Sequence, residues 1–400
     1  MAATQFARGG THSTLVPQRW SKDDFKTAFE QNPLLPFIGT GPNSIIQVKN
    51  DFLKEQGDKI TFGLRALLTG DGQGDDGSYS GNSEAMVYHN MDVQLHERGH
   101  SVALNGNMTE QSAYKKLRPD GMASLREWSG LVDGADLISA LSGLTTKKHI
   151  AGCRTGANAV DASSVQIATV NQTALTKGAT ATRWFGGGQI LTSPYTIGRV
   201  ATDALITNAS TNHMFGTNVI EYVHRMAVKT VDGSGNAVTP LRPILIKGGS
   251  YYLMLIDQMQ KKQLQADNKW INANLNGLPR NVKDNWIFSG ADGMWDGVVI
   301  KTVDKMHRRK GAGGILASEW FDTSSDVCYN GVTVARALFL GCQAACLAWG
   351  TLSTWKTGYS DPPHNTKYTV HTDKICGIKK SVFNSVDFGC IVCDTAVISD

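Results

Sequence analysis

The sequence predicts an α+β fold, because its apolar residues follow two different periods in different parts of the chain. Residues 44–105 show the two-residue period of β-strands, and residues 108–145 show the period of an α-helix. The tail from residue 368 is again rich in strand patterns. Helices and strands of one chain therefore have to share its apolar core.

The composition is typical of a globular chain with little net charge. Hydrophobic residues make up 41% of the 400 residues, and 39 basic against 35 acidic residues leave a net charge of +4. These values exclude a disordered chain and a strongly basic nucleic-acid-binding protein. Only 18% of the residues are charged, and 42 are glycine. Such a polar but weakly charged surface favours burial against copies of the same chain.

The seven cysteines do not form the even set expected of a disulfide framework in a small secreted domain. We therefore expect synthesis in a reducing cytoplasm. Residues 337–355 carry no charge, but Gln343 and several hydroxyl side chains and glycines interrupt the run. We predict a buried helix there rather than a membrane span.

The N-terminal region is predicted to be an arm followed by a short helix. Residues 1–19 have the character of a flexible arm, and Ser21 is a suitable cap for a helix that ends at Asn32–Pro33. Phe25 and Phe29 lie four residues apart and therefore share one face of that helix.

A long two-stranded arm is predicted to follow. Residues 60–64 and 91–95 alternate apolar with polar side chains, which is typical of strands. Between them, residues 69–78 combine acidic side chains with glycines and predict a solvent-exposed hairpin tip. A two-stranded arm is marginally stable alone in water, so we expect it to lie on another surface.

The rest of the chain predicts a mixture of helices and buried strands. The helical stretch at 108–145 is expected to be broken at Arg118–Gly121, and residues 152–182 are predicted to be a low-complexity insertion. Asp257 is expected to cap a helix, and Asp296–Gly297 to form a turn. The other predicted helices span 216–229, 257–275 and 333–348, and the predicted strands span 243–247, 251–256, 298–300, 368–370, 375–382 and 388–397.

One stretch matches the pattern of zinc proteases. His96, Glu97 and His100 have the His-Glu-x-x-His spacing, which places two zinc ligands on one face when the segment is helical. Here the flanking residues alternate with the period of a strand, which separates residues four apart by roughly 13 Å. We favour strand histidines, and keep a zinc-dependent hydrolase as the alternative function.

Other chemistry-bearing patterns have simpler explanations. Cys390 and Cys393 are predicted to point to opposite faces of a strand, and Cys342 and Cys346 to share a helix face as buried thiols. The acidic loop at 70–77 lacks the order of an EF-hand. The basic run at 307–310 is expected to be a solvated loop, with nucleic-acid binding as a distant third function. We expect no catalytic residue, metal or cofactor.

Eight short stretches, in order, carry a resemblance to a known family. They are Asn43–Ile46, Gly57–Phe62, Gly81–Glu84, Leu125–Trp128, Asn285–Ala291, Ala337–Ala344 (expected to be helical), Gly377–Asn384 and Asp387–Gly389. With the predicted order of elements, they make the chain resemble the major capsid protein of tailed bacteriophages, with the Hong Kong 97-type fold. More narrowly, the chain resembles the short-tailed, coliphage N-four-like branch.

The resemblance implies a subunit that self-assembles as hexamers and pentamers into an icosahedral head around packaged double-stranded DNA, without enzymatic activity. It implies a virion location, with host cytoplasm during assembly, and no membrane. The implied partners are further copies, a portal, a scaffolding protein and a decoration protein, with DNA nearby through non-specific contact. The implied parts are an N-terminal arm at 1–49, an extended loop at 50–105, a spine helix at 106–150, an axial domain at 151–315 and returning strands at 316–400.

The residues expected at contacts between subunits lie in the arm and in the extended loop. They are Trp20, Phe25, Phe37, Asp71, Asp75, Asp76 and Tyr79, and a basic loop is expected at Arg308, Arg309 and Lys310. The three aspartates are expected to face a basic surface of a neighbouring subunit.

Overall fold

The computed structural model describes a large part of the chain, in two compact units. The described residues are 34–50, 57, 59–66, 68, 70, 72–75, 77–78, 80–81, 83–103, 117–143, 181–189, 197–199, 213–230, 239–246, 248–276, 292–303, 306, 308–309, 332–359 and 367–398. The smaller unit comprises residues 1–31, 100–131 and 355–372, and the larger unit comprises residues 32–99, 132–354 and 373–400.

The described elements confirm a mixed α+β fold. The strands are Ile38–Gly39 (β1), Ile46–Lys49 (β2), Lys59–Arg65 (β3), Tyr88–Gln94 (β4), His96–Ala103 (β5), Trp184–Gln189 (β6), Ile197–Arg199 (β7), Ile244–Ile246 (β8), Gly249–Ile256 (β9), Gly293–Trp295 (β10), Val298–Thr302 (β11), Arg308–Arg309 (β12), Val332–Leu340 (β13), Ala345–Tyr359 (β14), Tyr368–Lys380 (β15), Val382–Phe383 (β16), Val386–Asp387 (β17) and Cys390–Ile398 (β18). The α-helices are Leu117–Ser142 (α1), Thr217–Val228 (α2), Gln258–Gln265 (α3) and Asn268–Asn276 (α4).

A nine-stranded mixed sheet forms the centre of the larger unit. Its order is β10-β11-β9-β13-β18-β6-β7, with β12 paired to β13 and β8 paired to β9. The middle strand β13 runs antiparallel to both β9 and β18, while β9 is parallel to β11 and β18 is parallel to β6. Strands buried on both faces read as nearly continuous apolar runs, which explains the sequence of β9 and β13.

The two faces of this sheet carry separate apolar clusters. Leu253 and Leu255 of β9 belong to one cluster, and Met254 and Ile256 belong to the other, as the alternation of side chains along a strand requires. Residues from the end of α1 cover the first face, and residues from α2, α3 and α4 cover the second. The sheet is therefore the common wall of two apolar layers.

The predicted helix at 333–348 is wrong, and the stretch Ala337–Ala344 is not helical. The structure places β13 there, then a tight turn in which Gln343 has a φ of 55°, and then the start of β14. An uncharged run has no polar face, so its period cannot distinguish a buried helix from a strand buried on both sides. No described helix has the length and hydropathy that a membrane span requires.

The helices at 216–229 and 257–275 are confirmed, with one difference. The second region contains α3 and α4, separated at Asp267. The Asp257 carboxylate accepts from the Met259 amide and caps α3 as predicted, and the Asp267 carboxylate accepts from the Lys269 amide at the start of α4. Asp267 therefore begins a new helix, because an acidic side chain satisfies free amides at a helix start.

The long helix α1, described from Leu117 onwards, continues through the predicted break at Arg118–Gly121. Pro119 lies in its first turn, where proline is tolerated because the amide it lacks would have no partner inside the helix. Leu125, Leu137 and Leu141 of the predicted apolar stripe are buried. Residues 104–116 and 144–150 lie outside the described residues.

The predicted strands of the hairpin, the middle and the tail are confirmed with shifted ends, except that the two predicted at 368–370 and 375–382 form one strand, β15. A second sheet has five strands in the order β1-β2-β14-β15-β5. Asp296 and Gly297 form the turn between β10 and β11, both with positive φ, as predicted for this pair.

The predicted arm helix at 21–32 and the low-complexity insertion at 152–182 fall on residues that are not described, except Ala181 and Thr182, which begin a short 3-10 turn.

Candidate functional site

The β3–β4 hairpin, at residues 59–94, is the most prominent candidate surface. Its strands pair antiparallel from Lys59 opposite Gln94 to Arg65 opposite Tyr88. The inner part is anchored, because the apolar residues that the sequence alternation singled out are buried there. Ile60, Phe62, Met91 and Val93 pack with Cys346 and Ala348 of β14.

Two lysines outside the hairpin hold its base. The Lys49 ammonium donates to the Thr61 carbonyl oxygen at 3.3 Å and lies 4.7 Å from the centre of the Phe62 ring. The Lys379 ammonium donates to the Asp92 carbonyl oxygen at 2.9 Å. Both bonds reach backbone oxygens that face out of the two-stranded ladder, so they fix the position of the hairpin without altering its register.

The outer part of the hairpin exposes apolar side chains. We define the outer patch as Leu68, Met86, Val87 and Tyr88, which are 61%, 62%, 50% and 64% exposed. The Ala66 amide donates to the Val87 carbonyl oxygen at 2.9 Å, so pairing continues into this region. Large exposed apolar side chains concentrated in one segment are typical of a contact with another molecule. The outer patch is therefore a candidate interaction surface, which the alternation pattern did not reveal.

The tip of the hairpin is built from turns. The Gly70 amide donates to the Glu84 carboxylate at 2.8 Å, and the Gly77 amide donates to the Gly74 carbonyl oxygen at 3.0 Å. Asp75 is exposed and has a φ of 44°, in the left-handed region that aspartate tolerates better than most residues. The tip therefore presents the Asp75 carboxylate to solvent. Asp71, Asp76 and Tyr79 lie outside the described residues.

Two other predicted contact residues have different surroundings from those expected. Phe37 is only 1% exposed and packs in the core of its own chain, with the Lys301 ammonium 5.0 Å from its ring centre. Its ring is therefore not a contact with a neighbouring subunit, and that prediction is wrong. Trp20 and Phe25 lie outside the described residues.

The predicted basic loop is in part a strand. Arg308 and Arg309 form β12, which pairs antiparallel with Ala335 and Val334 of β13. This pairing satisfies backbone groups that a solvated loop would leave to water. Lys310 lies outside the described residues.

The His-Glu-x-x-His stretch does not have the arrangement of a zinc protease. All five residues lie on β5, where residues four apart are separated by roughly 13 Å. Burial lowers the pKa of His96. Arg98 forms an ion pair with Asp136, and the His100 ring lies 4.7 Å from the Trp128 ring. No group of three or more candidate metal ligands occurs among the described residues. This strand geometry argues against the zinc-dependent hydrolase.

The described thiols have the surroundings of core residues. Cys390 and Cys393 belong to the clusters on opposite faces of the nine-stranded sheet, as predicted. Cys342 lies in the turn before β14 and Cys346 in that strand, so they do not share a helix face. Burial raises the pKa of Cys342, Cys346 and Cys390 to about 11, which keeps these thiols protonated and unreactive near neutral pH.

Comparison with known protein families gives one match that covers nearly the whole chain. The family described as phage capsid protein matches residues 10–399. No curated protein gives a significant match.

Comparison with solved structures points to the same group of proteins. The capsid of Ralstonia phage GP4 is similar with a TM-score of 0.73 and 23% identity, covering 100% of this chain and 99% of that one. The capsid of the cyanophage Pam1 is similar with a TM-score of 0.68 and 20% identity, covering 100% of both chains. The capsid of Helicobacter pylori bacteriophage KHP30 is similar with a TM-score of 0.66 and 12% identity, covering 99% of this chain and 98% of that one. At these identities the likeness shows the fold, which is the α+β fold of phage capsids.

Proposed function

We propose that the chain, which belongs to the phage capsid protein family, is the major capsid protein of a phage head shell. Its copies are proposed to form hexamers and pentamers around packaged double-stranded DNA. It is a structural protein and not an enzyme. The observation that carries the proposed arrangement is the hairpin with an anchored base and an exposed apolar outer patch.

In the proposed shell, the outer patch of one subunit lies on a neighbouring subunit. The buried base fixes the direction of the hairpin, so the outer patch reaches the same place on each neighbour. Many copies of one modest contact then close into a shell that is far more stable than any single contact. We propose five functional parts: the arm at 1–49, the extended loop at 50–105, the spine helix at 106–150, the axial domain at 151–315 and the returning strands at 316–400.

The proposal includes the finer assignment that the sequence resemblance supports. We propose that the chain has the Hong Kong 97-type fold and belongs to the short-tailed, N-four-like branch of tailed phages. Its proposed partners are further copies, a portal, a scaffolding protein and a decoration protein, with DNA held near the shell by non-specific contact. Assembly is proposed to take place in the host cytoplasm.

The direct test compares the wild-type chain with a variant of the outer patch. The triple variant Leu68→Gln, Met86→Gln and Val87→Gln removes exposed apolar surface without touching the buried base. We expect wild-type protein to form shells, tubes or six-fold rings in negative-stain electron microscopy. We expect at least a tenfold smaller assembled fraction for the variant, because roughly 25 cal/mol is lost for each Å² of apolar contact in every interface.

The matched control is Val228→Gln, which changes an equally exposed apolar residue outside the hairpin, 53% exposed at the end of α2. It should assemble as the wild type does. Circular dichroism should give the same melting temperature for all three proteins when they are unassembled. Normal shells from the triple variant would contradict the proposed role of the hairpin.

A further inference from the structure

An open cavity of about 790 Å³ lies between α2, α4 and the turn of the β10–β11 hairpin. We call it the α2 groove. Three of its residues, Asn218, Glu221 and Arg225, are three and four positions apart on α2, which places them along one face of that helix. Lys269 of α4 and Trp295 of β10 also line the groove.

Most charges of the α2 groove are matched inside the chain. The Glu221 carboxylate accepts from the Trp295 indole nitrogen at 3.2 Å and lies 3.8 Å from the Lys269 ammonium. That ammonium also donates to the Asn218 amide oxygen at 2.7 Å. Asp296 pairs with the His224 imidazole at 2.8 Å. The groove therefore has little net charge, which disfavours a nucleic acid as its ligand.

Two side-chain donors of the α2 groove have no hydrogen-bond acceptor or carboxylate partner among the described residues. The Asn218 side-chain nitrogen is buried in a residue that is only 5% exposed, and it has no acceptor among the described residues. The Arg225 guanidinium lies 5.6 Å from the centre of the Tyr222 ring and forms no ion pair with a described carboxylate. A buried donor without an acceptor is unfavourable, so this wall is complementary to a ligand that supplies acceptors.

The spacing of the two donors restricts the ligand. Residues seven apart on a helix are separated by about 10.5 Å along the axis, which is too far for one small anion to contact both. An extended chain of about three residues spans the same distance. Because guanidinium binds carboxylate in a fork-like geometry, the matching segment carries a backbone carbonyl at one end and an acidic side chain at the other.

We propose that the α2 groove binds an extended, carboxylate-bearing segment of a second copy of this chain. The Asn218 amide donates to a backbone carbonyl of that copy, and the Arg225 guanidinium binds its carboxylate. A second copy is the occupant because this inference rests on the proposed function, in which identical subunits meet at repeated interfaces. The contact is heterologous, with the groove of one subunit facing a different segment of the next.

The first experiment is oxidative footprinting of the wild-type protein before and after assembly. Met294 and Trp295 line the α2 groove and have side chains that react readily with hydroxyl radicals. We expect both to be oxidised at least five times more slowly in shells than in unassembled subunits. Equal oxidation rates in the two states would overturn the proposal.

The second experiment uses charge reversal on α2. Arg225→Glu should lower the assembled fraction at least tenfold, because it repels the incoming carboxylate, while Arg225→Lys should keep part of the assembly. The matched control is Lys229→Glu, at the exposed residue that follows α2 and does not line the groove. Unchanged melting of the unassembled variants shows that the fold is intact.

The outcomes separate this inference from the proposed function. Wild-type protein that forms no shells under any condition overturns both. Wild-type shells, together with Arg225→Glu shells of equal yield, overturn only the proposed use of the α2 groove. Loss of assembly in both Arg225→Glu and Lys229→Glu would also overturn it, since the effect would then follow net charge rather than the groove.

Discussion

The Arg336 guanidinium is buried in the nine-stranded sheet and forms a bidentate ion pair. Its Nε and Nη2 donate to the two Asp394 carboxylate oxygens at 2.7 and 2.8 Å, and its Nη1 donates to the Ser142 carbonyl oxygen at 2.8 Å. The Trp184 indole nitrogen completes the set by donating to Asp394 at 2.8 Å. Four elements therefore meet at one pair of opposite charges. The sequence contains no pattern that identifies these partners, which are 58 residues apart.

Replacing Arg336 with methionine should strongly destabilise the larger unit. The Asp394 carboxylate would remain buried without its counter-charge, and breaking one side of a buried ion pair costs about 3–5 kcal/mol. Urea unfolding of the unassembled subunit, followed by tryptophan fluorescence, measures this loss. The double variant Arg336→Met and Asp394→Asn should recover a large part of it, because no buried charge is left. A single variant that loses less than 1 kcal/mol would contradict this account.

At the scale of elements, the hairpin lies so close to β15 that a side chain would not fit between them. A Cβ atom at Gly377 would lie 2.2 Å from the Gln94 carbonyl oxygen, whereas a Cβ atom at Gly63, within β3, would meet nothing within 4 Å. The first glycine is therefore required by packing, and the second is not. Alternation alone predicted both strands of the hairpin, but it did not show which strand of the sheet they approach.

The two glycines form a matched pair for a test of this contact. Gly377→Ala should destabilise the fold by about 1–3 kcal/mol, because the hairpin base has to move away from β15. Gly63→Ala, on the hairpin itself, should change the stability by no more than about 0.5 kcal/mol. The melting temperatures of the two variants measure the difference. Equal effects of the two substitutions would show that the close approach does not matter.

At the scale of the whole molecule, the proposed shell requires that identical chains recognise one another. The chain offers an exposed apolar outer patch, an acidic tip with Asp75 and a groove in which the buried Asn218 donor has no acceptor among the described residues. Apolar contact supplies most of the free energy of such association, while matched charges determine which surfaces meet. A nearly neutral chain, with a net charge of +4, has little long-range repulsion between its copies.

The acidic tip should act through charge when copies assemble. Replacing Asp71, Asp75 and Asp76 with asparagine is expected to lower the assembled fraction several-fold at low salt. The loss should be smaller at about 0.5 M salt, where charges are screened within a few Å. Light scattering over a salt series measures the assembled fraction at low and at high salt. A loss of the same size at every salt concentration would show that the tip does not meet a basic surface.

Much of the fold could be predicted because it depends on local periodicity. The alternation at 60–64 and 91–95 identified the hairpin, the apolar stripe identified α1 from Met122 onwards, and Asp257 identified the start of α3. The uncharged run at 333–348 was assigned wrongly, because an element buried on every side has no polar face to reveal its period. Phe37 was wrongly expected at a contact between subunits, since burial depends on which distant residues cover a side chain.

The sequence by itself determined the α+β class, the long hairpin with its acidic tip and the resemblance to capsid proteins. These follow from residue order, which is present before the chain folds. The tertiary structure alone decided the order of the sheet strands, the pairing of Arg336 with Asp394 and the exposure of the outer patch. It also decided which donors of the α2 groove lack a partner among the described residues. Each of these depends on contacts between residues far apart in sequence, because exposure and hydrogen-bond satisfaction are properties of the packed molecule.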